Sequence, residues 1–186
     1  MSGLSLPDLS FPAARTPLTQ PPEALRRQGF GIRAAEQRDL DFMRLLFEAH
    51  RADELAQVAW SEEARRFFLD NQFALQHHHF TTRFEQAEFL VLEHRGHPVG
   101  RLYLLRESPH WLIIDIGLLP AWQGRGIGSA LFAELQRAAR DAHARGLSLH
   151  VRQDNHRAHA LYVRLGFREV CAEGMHLLMH WDVPSA

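Results

Sequence analysis

The stretch QGRGIGSALFAELQRAAR, residues 123–140, places three glycines within five residues at the start of a long amphipathic helix. A glycine inside a helix costs up to about 1 kcal/mol relative to alanine, so helix propensity does not explain Gly124, Gly126 and Gly128. The N-terminus of a helix presents unpaired backbone N–H groups and about half a positive charge, and glycine lets an anion approach them. The stretch therefore predicts an anion site that suits phosphate.

A glycine loop of this kind also occurs in tight turns and in two nucleotide-binding folds, which differ in the neighbouring sequence they require. A tight strand-to-helix turn uses the glycines for packing only, and the glycine pattern alone leaves that interpretation open. A dinucleotide-binding fold needs the loop after the first strand of a βαβ unit, whereas three predicted strands precede it here. A P-loop needs a lysine after the glycines, and the chain contains no lysine. Both nucleotide folds are therefore excluded.

The composition indicates a single globular domain that binds a small ligand. The chain has 186 residues, 46% of them hydrophobic, which suffices for one substantial core. Its 21 basic and 22 acidic residues nearly balance, so charge gives no reason to expect nucleic acid or a membrane surface as partner. The single cysteine, Cys171, excludes an internal disulfide and is expected to be a small core residue. Without a signal-peptide pattern or an apolar run of ~20 residues, we expect a cytoplasmic protein with no transmembrane helix.

Hydrophobic periodicity predicts the elements of the N-terminal half. Apolar residues at Phe42, Leu45, Leu46 and Ala49 follow helical spacing, and a second helix is expected to begin after Ser61 as its N-cap. In chain order, the predictions are a strand at 30–35, a helix at about 37–55, a helix from 61 to about 77, and three antiparallel strands at 88–93, 99–106 and 111–119.

The C-terminal half predicts a parallel crossover followed by a hairpin. The helix after the glycine loop is expected to end at Gly146 as its C′ residue, and a strand at 147–151 follows. A strand, a helix and a further strand imply that the two strands are parallel. A short helix at about 156–165 that stops at Gly166, and a hairpin that turns near Gly174, complete the chain.

Residues 1–28 are predicted to form an irregular arm, and residues 29–186 the compact domain. Without sustained periodicity, the arm holds five of the nine prolines: Pro7, Pro12, Pro17, Pro21 and Pro22. Such a segment has little capacity for regular structure, so deleting residues 1–25 is expected to change Tm little.

Two segments of the chain carry a family resemblance. One is the loop Gln123-Gly124-Arg125-Gly126-Ile127-Gly128, and the other is NHRAHALYVRLGF, residues 155–167. The first resembles the Arg/Gln-x-x-Gly-x-Gly/Ala signature of the GNAT superfamily of acetyl-CoA-dependent N-acetyltransferases. The second is similar to that family's Asn-x-x-Ala-x-x-Leu-Tyr-x-x-Leu-Gly-Phe segment, at the expected distance after the loop. The resemblance in element order covers about residues 30–183, and residues 50–85 have no specific counterpart.

The resemblance implies an α/β (α+β) GNAT fold: a central mixed, mostly antiparallel, twisted sheet of six to seven strands with about four helices. In this family the strand that ends at Leu118 and Leu119 splays from the strand at 147–151. The resulting cleft receives the pantetheine arm of acyl-CoA as a pseudo-strand. Acetyl-CoA is thus implied as the acyl donor, with no metal. The residues implied to bind it are Leu118, Leu119, Gln123, Gly124, Arg125, Gly126, Ile127, Gly128, Ser129 and Asn155.

Two of the candidate site residues have a structural alternative. Asn155 suits the N-cap of the helix that follows it, and this role is compatible with a cofactor contact. Tyr162 suits a partly buried aromatic that packs beside Leu161 and Leu165. The matching tyrosine of the family commonly donates its phenolic proton to the departing coenzyme A thiolate, so the resemblance implies a general-acid role for Tyr162.

The base that accepts the proton of the amine is the least defined part of the site. Relatives often carry a Glu or His on the strand before the loop, but the corresponding position falls on or near Leu112, which cannot accept a proton. Asp115 on the same strand and His110 at its start remain as candidates, and a structural role is the alternative for each. Three consecutive histidines on a helix point about 100° apart and cannot share one metal ion, so the end of the second helix is the simpler place for His77, His78 and His79.

The resemblance implies an N-acetyltransferase in which a primary amine attacks the thioester of acetyl-CoA directly in a ternary complex. A backbone N–H near Leu118 is expected to polarise the carbonyl. A non-catalytic acyl-CoA-binding or sensing module and an acyltransferase for a longer acyl-CoA are the alternatives. The acceptor is expected to be a small-molecule or peptide amine, and polyamines, aminoglycosides, amino acids and protein amines all remain open. Assembly as a homodimer also remains open.

Overall fold

A computed structural model of the chain describes residues 8–14, 16–56, 59–107 and 109–184. The helices in these ranges are α1 (Glu23–Arg27), α2 (Leu40–Leu55), α3 (Glu62–Arg83), α4 (Ile127–Asp141) and α5 (His156–Arg164). The strands are β1 (Phe30–Ala34), β2 (Glu88–His94), β3 (His97–Leu105), β4 (His110–Leu118), β5 (Gly146–Arg152), β6 (Arg168–Glu173) and β7 (His176–Asp182). Short 3-10 turns precede α2 and follow β4, at Gln37–Asp39 and Pro120–Trp122.

The seven strands form one mixed sheet in the order β1-β2-β3-β4-β5-β7-β6. Neighbouring strands are antiparallel except β4 and β5, which are parallel and joined by α4. The sheet confirms the predicted strand number, the meander of β2 to β4 and the crossover. The predicted N-cap of the second helix is also present, because the Ser61 hydroxyl accepts a hydrogen bond from the Ala64 N–H at 3.2 Å.

The helices cover both faces of the sheet and bury two main cores. On one face, α4 and α5 pack on the strands through Phe132, Leu135 and Leu149. On the other face, α2 and α3 pack through Met43 and Phe73, together with the residues of β2, β3 and β4 that point to that side. All five of these side chains are almost fully buried. The two faces of β4 and β5 are therefore lined by different helices, which matters for the site between these strands.

Pairing between β4 and β5 stops halfway along both strands. The parallel register runs from the His110–Gly146 pair to the Ile113–Leu149 pair, although β4 continues to Leu118 and β5 to Arg152. At the same place β4 has a β-bulge against β3, because Leu104 pairs with Ile113 but Tyr103 pairs with Asp115. A bulge increases the local twist of a strand, which turns the end of β4 away from β5. The expected splay is thus confirmed, and we call it the cleft.

Three local expectations are wrong. Helix α4 ends before Gly146, which begins β5 where an added Cβ would overlap the carbonyl oxygen of Trp181, so this glycine is required for close strand packing. Helix α3 continues past His77 to Arg83, which gives it 22 residues. Cys171 lies exposed on the edge strand β6 and is not a core residue.

The described part of the N-terminal arm packs on the domain, in contrast to the independent arm that the prolines suggested. Phe11 lies edge-on to the Phe89 ring, with the ring centroids 5.8 Å apart. Thr19 is buried, and the carboxylate of Glu88 accepts hydrogen bonds from the N–H groups of Leu18 and Thr19 at 3.0 and 3.1 Å. Arg106 pairs with the same carboxylate and also donates to the Thr19 hydroxyl. Residues 1–7 and residue 15 lie outside the described residues, and the division at residue 28 stays a prediction.

The histidine triplet takes part in this arm contact. His77 is buried, is held by the carbonyl oxygen of Leu9 at 3.0 Å, and stacks on Phe73. Burial lowers the pKa of His77, so its ring is neutral near pH 7. His78 contacts the carbonyl oxygen of Asp8 at 3.2 Å, whereas His79 lies near the Phe84 ring. The three rings therefore point to different neighbours, as consecutive helical residues must.

Within the described ranges, no helix combines the length and the apolar character needed to cross a membrane.

Because the arm supplies buried contacts, its deletion is expected to destabilise the domain. Removing residues 1–25 should lower Tm by more than about 5 °C in a thermal scan, since 1 kcal/mol corresponds to ~2–4 °C in a domain of this size. Phe11→Ala should reproduce part of the loss, whereas Leu18→Ala, whose side chain is 72% exposed, serves as the matched control. A Phe11→Ala variant that melts with the wild type would contradict the arm contact.

Candidate functional site

The glycine loop leads from the end of β4 into α4 and leaves open space around all three glycines. Gly124 and Gly126 have φ of 71° and 77°, a left-handed backbone that favours glycine. Gly128 is helical and has no such requirement. A Cβ added at any of the three would meet no other atom within 4 Å. Packing between strand and helix therefore does not explain Gly128.

The first turn of α4 leaves its backbone donors available. Gly126 is the N-cap, no side chain caps the helix, and the first turn carries no acidic residue. The N–H groups of a first helical turn have no partner within the helix, so those of Ile127, Gly128 and Ser129 are suited to an anion. Arg125 adds a positive charge beside them, with its guanidinium carbon 5.2 Å from the centre of the Trp122 ring.

The unpaired end of β4 presents backbone groups to the cleft. Alternate residues of an antiparallel strand bond to the partner strand, and the Leu119 N–H donates to the Val99 carbonyl of β3 at 2.9 Å. Leu118 and Ile116 therefore point their N–H and C=O groups away from β3 and towards β5, where pairing has ended. The Leu118 carbonyl oxygen lies 2.9 Å from both Gln123 Nε2 and His50 Nε2. The Leu118 N–H and the Ile116 N–H and C=O are the groups that can bind an extended ligand in the manner of an added strand.

Two other predicted residues have defined structural contacts at the loop and α5. Gln123 donates to the Leu118 carbonyl oxygen at 2.9 Å and accepts from Arg157 at 3.3 Å, so it connects the loop with both β4 and α5. The side chain of Asn155 accepts from the Ala158 N–H at 3.1 Å and caps α5 as expected. Neither contact tests a role towards a ligand.

Tyr162 belongs to α5 and packs against Phe132 of α4, on the side of the cleft that these two helices cover. Its ring centroid lies 5.4 Å from that of Phe132 and 6.0 Å from that of Phe167. In the described part of the chain, no group bonds its hydroxyl. Burial, and then the nearby negative charge of Asp115, raise the pKa of Tyr162 to about 12. The hydroxyl therefore keeps its proton and has it available for a partner that is absent from the protein itself.

Asp115 belongs to a buried ion pair below the cleft. It lies on the face covered by α2 and α3, directly opposite Tyr103 on β3, and pairs with the guanidinium of Arg101. Arg101 is 5% exposed and also donates to Gln76 at 3.3 Å. The charge of Asp115 raises the pKa of Arg101 despite the opposing effect of burial. The Asp115 carboxylate is therefore engaged as the counter-ion of a buried guanidinium, whose charge it balances.

His110, the other candidate that the sequence offered as a base, is remote from the cleft. It lies at the start of β4, where pairing with β5 is intact. Its Nε2 is 2.8 Å from the Asp182 carboxylate, and its ring stacks on His180. Leu112 packs against the core under α2 and α3. Neither position supplies a base to the unpaired end of β4.

Two histidines that the sequence did not single out border the cleft on the α2 side. His50 on α2 is exposed and its Nε2 lies 2.9 Å from the Leu118 carbonyl oxygen. His150 is the first residue of β5 beyond the pairing with β4, and its Nε2 lies 3.1 Å from a Glu173 oxygen. No spacing pattern in the sequence identifies either histidine, because only the tertiary structure brings each of them to the cleft. Among the described residues, no group of three or more His, Cys, Asp or Glu side chains is arranged to hold a metal ion.

Comparisons with known proteins connect this geometry to one family. The family model described as "Acetyltransferase (GNAT) family" matches residues 43–167, which include β4, the glycine loop and α5. A Bacillus subtilis (strain 168) protein named "Putative ribosomal protein bS18-alanine N-acetyltransferase" is 33% identical over 82 residues, 44% of this chain. The match spans 54% of that relative, so the chain aligns with about half of its length.

Solved structures show the same fold. The PaiA N-acetyltransferase of Thermoplasma acidophilum in complex with coenzyme A superposes with a TM-score of 0.64 at 17% identity, over 82% of this chain and 98% of that one. The ribosomal-protein-S18-alanine N-acetyltransferase of Escherichia coli superposes with a TM-score of 0.56 at 22% identity, over 84% of this chain and 96% of that one. The cleft, the open glycine loop and the matched family model agree, and the chain belongs to the GNAT family of acetyltransferases.

Proposed function

We propose that the chain is an N-acetyltransferase that transfers the acetyl group of acetyl-CoA to a primary amine in a ternary complex. The observation that carries this proposal is Gly128, whose missing side chain serves neither backbone conformation nor packing and leaves the N-terminus of α4 accessible. The pyrophosphate of coenzyme A would bind the N–H groups of residues 124–129. The related PaiA structure, which holds coenzyme A on the same fold, supports this assignment.

The cleft is proposed to hold the pantetheine arm and the thioester. The Leu118 N–H and the backbone N–H and C=O of Ile116 are available to an extended chain, as the groups of an unpaired strand are. A thioester carbonyl next to the Leu118 N–H would be polarised as negative charge develops on its oxygen. Gln123, Asn155 and Leu119 would support this arrangement through the loop, α5 and the end of β4.

The two sides of the cleft offer different chemistry. Tyr162 lies on the α4 and α5 side, so it is proposed to donate to the sulfur of the departing coenzyme A. With a pKa of about 12, its phenol is protonated at neutral pH, whereas a thiol has a pKa near ~8.5. Complete proton transfer from phenol to thiolate is therefore unfavourable in this environment. A hydrogen bond that stabilises the developing thiolate is the contribution we assign to Tyr162, with solvent as the final proton source.

The acceptor would approach from the opposite side, which α2 and α3 cover. The residues between these helices fall in the stretch without a family counterpart, so specificity is proposed to lie there. The Bacillus subtilis and Escherichia coli relatives, whose names specify a ribosomal protein alanine, favour an amine of a protein or peptide, and a small-molecule amine is the alternative. A non-catalytic acyl-CoA-binding module, or a longer acyl donor, would use the same loop. The free Tyr162 hydroxyl favours catalysis over mere binding.

Gly128→Val is expected to weaken coenzyme A binding at least tenfold in isothermal calorimetry, because its side chain would project into the space reserved for the pyrophosphate. The fold should persist, since Gly128 is helical and its surroundings are open. Gly31→Val on β1, another glycine with open space, is the matched control and should bind as the wild type does. Unchanged affinity in a folded Gly128→Val variant would refute the loop assignment.

Tyr162→Phe is expected to retain coenzyme A affinity within a few-fold and to lower kcat about tenfold or more. The ring contacts with Phe132 and Phe167 remain, and only the unbonded hydroxyl is lost, so stability should be close to that of the wild type. Stopped-flow detection of thiol release under conditions where chemistry limits the rate provides the measurement. A wild-type rate in this variant would show that water or another group stabilises the thiolate.

Asp115→Asn is expected to destabilise the fold, because it leaves the buried Arg101 charge without its counter-ion. The free energy of unfolding in urea should fall by about 3 kcal/mol, and Arg101→Met/Asp115→Leu should recover much of that loss. Arg137→Gln, which breaks exposed pairs with Glu134 and Asp141, is the control and should change little. Wild-type stability with a selective loss of rate would instead indicate that Asp115 is the base.

A further inference from the structure

His50 occupies a defined position at the α2 side of the cleft. The ring projects from the third turn of α2, and its Nε2 lies 2.9 Å from the carbonyl oxygen of Leu118, the residue at the end of β4. A carbonyl oxygen only accepts hydrogen bonds, so Nε2 carries the hydrogen when the ring is neutral. The lone pair of the neutral ring is then on Nδ1. In the described part of the chain, no group bonds Nδ1.

Gly117 leaves the space on β4 that the His50 ring occupies. A Cβ added at Gly117 would overlap His50 Cε1, and the ring nitrogens would be the next atoms that it meets. The backbone of Gly117 therefore lets the imidazole lie directly on β4, one residue before the carbonyl that holds it. Gly117 lies opposite Arg101 in the register with β3, so the ring sits on the same face of the sheet as Asp115.

We propose that His50 is the base that accepts the proton of the attacking amine, through Nδ1. The proposal rests on the proposed acetyl transfer and names a residue for its unassigned step. An amine like that of lysine, with a pKa near 10.4, is neutral in only about one molecule in 2,500 at pH 7, so a proton acceptor beside it is valuable. Asp115 is engaged with Arg101, and Leu112 has no proton-accepting atom, whereas His50 is exposed on the side from which the amine approaches.

Every bond and proton in the proposed acetyl transfer is accounted for. His50 Nδ1 takes one proton from the ammonium group, and the resulting neutral amine nitrogen forms a bond to the thioester carbonyl carbon. The carbon–sulfur bond then breaks while the nitrogen loses its second proton to solvent, and coenzyme A leaves as a thiolate that is stabilised by the Tyr162 hydroxyl and finally protonated by solvent. The imidazolium returns its proton to solvent, so the products are the acetylated amine, free coenzyme A and one proton.

The charges around His50 are nearly balanced. Asp115 and Arg101 form an ion pair on the same face of the sheet. Glu54 lies one turn further along α2 and is close enough to interact electrostatically with Arg152 of β5. Arg51, the neighbour of His50, pairs with Glu54 at 3.1 Å. His150 is a further titratable group at this side of the cleft, and its Nε2 lies 3.1 Å from a Glu173 carboxylate oxygen.

His50→Gln separates proton acceptance from positioning, because a glutamine amide can donate to the Leu118 carbonyl but cannot act as a base. Thiol release from acetyl-CoA would be followed with spermidine, an alanine-initiated peptide and an aminoglycoside, and the best substrate carried forward. For the wild type we expect kcat/KM to fall on the acidic side of its pH profile. His50→Gln should lose this acidic limb and lower kcat/KM tenfold or more near pH 7. The deficit should shrink at high pH as the amine loses its proton unaided.

Gly117→Ala provides a second test that leaves the imidazole in the protein. The added methyl group should displace the ring and reproduce most of the loss, and it should add little in the His50→Gln background, since both changes remove one interaction. Coenzyme A affinity, measured by calorimetry, should stay within a few-fold in both single variants. His150→Gln is the matched histidine control and should keep the acidic limb.

The results that would contradict the proposed function differ from those that would contradict only the role of His50. A wild type that releases no thiol with any amine, although it binds coenzyme A, overturns the proposed function and this inference together. An active wild type whose acidic limb persists in His50→Gln, or disappears in His150→Gln alone, overturns only the assignment of His50. A loss in His50→Gln that is the same at every pH indicates a positioning role and likewise overturns it.

Discussion

The organisation of the site depends on the point at which β4 and β5 stop pairing. Up to Ile113 and Leu149 they form a parallel ladder, and the bulge of β4 begins with the next residue. Beyond it the strand keeps its partner β3 but has none on the side of β5. Unpaired backbone groups inside a protein are costly unless something satisfies them, so this end of the sheet suits the extended ligand that we propose. The glycine loop follows directly, which aligns the cleft with the N-terminus of α4.

The two faces of the sheet divide the proposed chemistry. The α4 and α5 face supplies Tyr162, whereas the α2 and α3 face supplies His50 and the Arg101–Asp115 pair. In direct acyl transfer the amine adds to the carbonyl carbon and the resulting tetrahedral intermediate expels the thiolate, so groups on the two sides of the cleft can serve the amine and the leaving group separately. The buried ion pair contributes charge balance below the acceptor region. Its rigidity is proposed to define the floor against which an amine is held.

The sequence predicted those parts of the fold and site that local chemistry determines. The hairpin turn near Gly174, the N-caps at Ser61 and Asn155, and the apolar strands all depend on residues close together in the chain. His50 was missed because it reaches Leu118 across 68 residues. The Arg101–Asp115 pair was missed because it depends on a strand register that contains a bulge. Gly146 was misplaced because its requirement comes from the distant Trp181.

The arm shows how composition can mislead. The arm contains α1, and no helix or strand forms in its described residues before Glu23. These irregular residues nevertheless place one aromatic ring and one buried threonine in defined sites. Their anchor, Glu88, lies at the first position of β2, where it combines two backbone donors with Arg106. Periodicity has no means of detecting such contacts, because they involve single residues at irregular spacing.

The bulge at Ile114 also places stability and activity in opposition. Loss of this single codon would leave both signature segments unchanged and would give β4 a regular ladder with β3. The straightened strand could then continue its pairing with β5 past Leu149, which satisfies the free backbone groups and removes the cleft. If the cleft holds acetyl-CoA as proposed, such a descendant would be inactive and would still carry both signature segments. One extra residue in β4 therefore separates an open cleft from a continuous ladder.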